Sequence, residues 1–71
     1  MSNYTDEELR VAVRRRIDAD KEVEDAIIEA IKRRRRGWLV NLVIDVAQFI
    51  FGRVVADIIE RVVDWFFDHY S

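Results

Sequence analysis

The sequence predicts an all-α domain, on three observations. Its 71 residues contain no proline and only two glycines, Gly37 and Gly52, too few turn residues for a β architecture. Apolar residues recur at helical spacing along nearly the whole length. Residues that cap helices stand in front of the first two of these runs. A chain this short makes one small domain, which buries only about 60% of the surface its unfolded form exposes.

The first helix is expected over residues 5–17. Thr5-Asp6-Glu7-Glu8 is a capping-box pattern, in which hydroxyl and carboxylate each satisfy the other residue's amide. Three acids in the first turn suit the positive end of the helix dipole. Leu9, Ala12, Val13 and Ile17 then share one face.

Asp18-Ala19-Asp20 interrupts that pattern, and either aspartate can cap a second helix, expected over residues 20–36. Val23, Ala26, Ile27, Ala30 and Ile31 form its apolar stripe. Glu29 and Arg33 make an attractive i, i+4 pair on the wet side, whereas Asp25 and Glu29 repel. The run Lys32-Arg33-Arg34-Arg35-Arg36 puts cations at the negative end of the dipole, and Gly37 is expected to supply a left-handed stop.

Residues 38–70 form an apolar helical segment with sparse polar positions. Asn41, Asp45, Gln48 and Gly52 fall on one stripe. Arg53, Asp57, Glu60, Arg61, Asp64 and Asp68 make a second stripe, rotated from the first by roughly 130°. The slip at Phe51-Gly52-Arg53 predicts either one long helix of about 50 Å, bent near Gly52, or two helices in close succession.

Charge and apolarity divide unequally at Gly37. Residues 1–36 hold ten Lys/Arg and nine Asp/Glu, and residues 37–71 hold two and five. Apolar residues number 14 in the first part and 22 in the second. The second part is therefore apolar over well over half its circumference, where a surface helix needs a stripe of about 100°. Short, charged helices leave such a surface uncovered, which predicts self-association through Trp38, Leu42, Phe49, Ile50, Val55, Ile59, Val62, Trp65, Phe66, Phe67 and Tyr70.

Lipid is a weaker candidate for the cover. Residues 38–59 are long enough to span a bilayer, but Asp45, Arg53 and Asp57 each cost about 2.5–3.5 kcal/mol near a helix centre. The apolar residues of that window return about 0.3–0.6 kcal/mol each, so insertion breaks even at best. A surface-lying helix would present an acidic face, the wrong sign for anionic headgroups, although residues 32–36 have the right one.

The arginines are the most conspicuous chemistry. Arg14, Arg15 and Arg16 in the first helix, with Lys32, Arg33, Arg34, Arg35 and Arg36 in the second, are candidates for contact with phosphates of a polyanion, nucleic acid above all. The plain alternative is dipole compensation and solubility, but four consecutive arginines point all round a helix and exceed what capping requires. No helix-turn-helix spacing, zinc finger or aromatic RNA-binding motif predicts sequence-specific readout. Formal net charge is −2, which excludes a uniformly basic nucleic-acid binder.

Asp57, Glu60, Asp64 and Asp68 lie on one helix face, but His69 is the only imidazole and the Glu-x-x-His pattern of di-iron bundles is missing. The row reads as a solvated stripe, or one that meets arginines of a neighbouring subunit, and no metal or cofactor is expected. Catalysis has no support. There is no cysteine, and the hydroxyl nucleophiles other than tyrosine are Ser2, Thr5 and Ser71, near the chain ends. Two isolated glycines make no phosphate loop.

In layout — a tiny all-helical chain, arginines at the bend, an apolar hairpin arm — the sequence resembles small helical coat or nucleoprotein subunits of rod-shaped viruses. That resemblance implies a structural protein that assembles with itself around nucleic acid. The rival expectation is a small interaction module, such as an inhibitor, antitoxin-like partner or adaptor, and a third is a helix at a membrane surface. The acidic, polar start predicts no signal peptide and hence a cytoplasmic or virion-like location. Arginine outnumbers lysine ten to two, and thermolabile residues are few, a pattern that suits a hot environment.

Overall fold

A computed structural model describes residues 4–70, so Ser2 and Ser71 lie outside the described residues. Four helices follow one another: α1 (Asp6–Ala19), α2 (Lys21–Lys32), α3 (Arg36–Phe51) and α4 (Ala56–Tyr70). Among the described residues there is no strand. Every helix touches each of the other three, so the four share one core.

Both predicted caps on α1 and α2 form. Thr5 Oγ1 accepts from the Glu8 amide at 3.2 Å, and the Thr5 amide donates to Glu8 Oε1 at 3.3 Å. Of the two candidate aspartates, Asp20 is the cap: its Oδ1 accepts from the Glu22 amide at 2.9 Å. Asp20 also terminates α1, its own amide donating to the Ile17 carbonyl. One residue thus joins the two helices, which extends α1 to Ala19 and leaves no room for a loop.

The end of α2 departs from expectation. It stops at Lys32, and the left-handed residue is Arg34 (φ 55°), not Gly37, which sits in the first turn of α3. The Arg34 amide donates to Ile31 O at 3.1 Å and the Arg35 amide to Ala30 O at 2.7 Å, the pair of bonds that defines a Schellman turn. Core placement explains the early stop. Ile31 is the last buried residue of α2 and Leu39 the first of α3. A helix carried on to Arg36 would add a turn of exposed arginines and delay the burial of Leu39. Burying that side chain stabilises by about 1.5–3 kcal/mol, against about 1–2 kcal/mol for a non-glycine residue in the left-handed region.

Residues 38–70 are two helices, as one of the two alternatives holds, and the four helices are of similar length rather than two short and one long. The break falls at the predicted slip: Gly52 ends α3 at φ 72°, its amide donating to Gln48 O at 3.0 Å. Residues 52–55 turn the chain, which lets α3 and α4 pack on each other. Leu9, Val13, Ile27, Leu39, Val43, Val62, Val63 and Phe66 are fully buried at the centre.

That packing corrects the expectation for the apolar arm. Ile59, Val62 and Phe66 are core residues of the chain itself. Leu42, Val55, Trp65 and Phe67 pack half-buried against that core. The turn is the reason, because one long helix would have left these side chains without an intramolecular partner. No helix among the described residues is long and apolar enough to cross a membrane.

Candidate interaction surfaces

What remains outside the core is narrow. Phe49 is 89% exposed, Ile50 52% and Val11 46%, while Trp38, Val54 and Tyr70 are exposed to a lesser degree. Of the eleven predicted self-association residues, therefore, only Trp38, Phe49, Ile50 and Tyr70 lie on the surface. Phe49 and Ile50 border a groove of about 430 Å³ between α1 and α3, floored by Ala12, Leu42 and Val46. Arg15 and Arg16 of α1 line the same groove, as does Asp45 of α3. Ile50 and Arg15 continue into a neighbouring hollow with Val11, Glu7 and Glu8.

The two candidate cation clusters lie on different grooves. Arg15 and Arg16 lie beside Phe49, whereas Lys32, Arg34 and Arg36 line a different groove of about 830 Å³, with Phe67, Asp68 and Tyr70 of α4. Within the second set the roles divide. Arg33 pairs with Glu29 one turn back along the chain. Arg36 spans two carboxylates of α4, donating to Glu60 Oε2 and lying 2.7 Å from Asp64 Oδ1 through Nη1. Its hydrogen bonds to Glu60 and then to Asp64 hold the guanidinium above its ordinary pKa. Lys32, Arg34 and Arg35 have no carboxylate partner among the described residues.

Two carboxylates of the acidic row meet an arginine of the same chain. Glu60 and Asp64 take Arg36, and no group of three potential metal ligands forms among the described residues. The helix boundaries also narrow the plain explanation for the arginine run. Arg34 lies in the turn, and Arg35 and Arg36 open α3, whose N-terminus carries the positive end of its dipole. Dipole compensation by α2 covers Lys32 in its last turn and Arg34 just beyond its C-cap, but not Arg36 in the first turn of α3.

On the opposite side of the ledger of aromatics, Arg10 of α1 lies 5.1 Å from the Trp65 ring centre, and His69 stacks on that ring at 4.5 Å. Trp65 is thus held between two side chains and is a packing element of α4. The reading by sequence also missed Tyr4. It is buried, stacks on Phe51 with ring centres 4.3 Å apart, and bonds the backbone of the turn at residues 53 and 55. A tyrosine directly before a capping box was its only signal.

The chain matches no protein-family model, no curated protein and no solved structure.

Proposed function

We propose that this chain is a non-enzymatic assembly protein that self-associates through its Phe49 surface and offers its remaining cations to a polyanion, nucleic-acid phosphates foremost. The exposure of Phe49 carries the reading. A phenyl ring left almost wholly in water forgoes about 1.5–3 kcal/mol of burial, and here the exposed Ile50 borders the same groove. Single exposed apolar residues are ordinary, whereas a contiguous set bordering a groove marks a contact surface.

The polyanion half rests on Lys32, Arg34 and Arg35. They have no acidic partner among the described residues, and together they exceed the charge that the end of α2 requires. Arginine presents a planar fork that matches a phosphate and lysine a point charge, and three phosphate contacts of this kind give weak, salt-sensitive and sequence-independent binding.

Mass in solution, measured at two salt concentrations with and without single- and double-stranded nucleic acid, tests both halves. Particles larger than one chain, and nucleic-acid affinity falling steeply with salt, are the expected results. A single copy at every concentration, with no salt-dependent binding, would overturn the proposal. A chain that is monomeric alone but retained by one protein partner would replace it with the interaction-module reading.

A further inference from the structure

We infer that the α1–α3 groove is a two-fold self-docking site, in which Phe49 of each copy enters the groove of the other and Arg15 and Arg16 face the second copy's Asp45. This rests on the assembly reading above and specifies its geometry. Two features of the face select a second copy as occupant. First, it carries a protruding ring and an apolar groove side by side. Phe49 stands almost free of its own chain, and the adjacent groove of about 430 Å³, floored by Ala12, Leu42 and Val46, has room for a phenyl side chain.

Second, the same groove carries both signs of charge, on opposite walls. Arg15 and Arg16 belong to α1 and Asp45 to α3, and all three are exposed. A two-fold axis brings residue i of one copy to residue j of the other and j to i, so a face that holds both members of each complementary pair is complementary to itself. An acidic or a basic protein of another kind would match only one wall and meet like charge on the other. A head-to-tail contact would require knob and hole on separate faces, and here they share one. The assembly unit is therefore a closed dimer, and the groove lined by Lys32 and Arg34, lying elsewhere, stays open for a polyanion.

Sedimentation of three variants at matched concentration and low salt tests the pairing. Phe49→Ala should weaken dimerisation by about 30-fold or more, as loss of a central aromatic anchor does, with helicity unchanged. Asp45→Arg alone, and Arg15→Asp with Arg16→Asp, should each be monomeric, because each places like charges face to face. Mixed one to one, the two charge variants should form a heterodimer, since every facing pair is again opposite in sign. Failure of the folded mixture to associate would overturn the two-fold pairing even if the wild-type chain dimerises. So would charge variants that dimerise on their own, or a wild type that grows into open filaments. A wild type that stays monomeric at millimolar concentration would remove the assembly reading as well.

Discussion

The Val55 amide donates to the Tyr4 hydroxyl at 2.9 Å, a bond across 51 residues that ties the start of the chain to the turn between α3 and α4. The same hydroxyl donates to the Arg53 carbonyl at 3.2 Å, and the ring lies on Phe51. One side chain thus satisfies two backbone groups of the turn.

Tyr4→Phe removes only that oxygen. Leaving two partly buried backbone groups without it should cost about 1–2 kcal/mol. For a domain of this size that lowers Tm by roughly 4–8 °C per kcal/mol, readable by circular dichroism. An unchanged Tm would mean that water replaces the hydroxyl without loss.

Phe66 and Trp65 are adjacent in sequence and differ in burial, so they should differ in cost. Phe66→Ala empties a fully buried site and should destabilise by about 3–5 kcal/mol in a denaturant titration. Trp65 is only half-buried, with Arg10 and His69 against its ring, and Trp65→Ala should cost less than half as much. Equal losses would contradict the packing of α4.

Arg34 occupies a left-handed position that glycine takes without steric penalty. Arg34→Gly should raise stability by about 0.5–1 kcal/mol, the relief exceeding the entropy lost from the unfolded chain. It should also reduce the slope of log affinity for nucleic acid against log salt by about 0.7–0.9, the share of one phosphate contact. A stabilised variant with an unaltered slope would remove Arg34 from the polyanion surface.

Arg36 is neutralised by Glu60 and Asp64, and all three side chains are substantially exposed. Arg36→Met should therefore cost less than about 1 kcal/mol, and less still at high salt. The raised pKa of Arg36 means that the folded form holds its proton more tightly, a contribution fully present at neutral pH, where both carboxylates are charged, and lost as pH rises only in strong base. No stability transition near neutral pH should arise from this guanidinium, and a Tm that fell between pH 7 and 9 in the wild type but not in the Met variant would refute that.

The local code was legible where short-range chemistry decides. The Thr5–Glu8 box, an aspartate cap on α2 and the Glu29–Arg33 pair depend on residues within four positions of one another, and the slip at Gly52 on the helical period of the two stripes that flank it. Their geometry follows from helical spacing alone, and so does the all-helical class. The fate of the apolar arm does not. Whether Ile59, Val62 and Phe66 face a partner or their own core depends on the chain folding back at residues 52–55, where Tyr4, far away in sequence, bonds the turn. The stop at Arg34 was equally hidden, because local preference favours glycine and only the need to bury Leu39 overrides it. Spacing along a helix determines which residues share a face. What that face meets is decided by contacts between distant segments, whose energies no local pattern records.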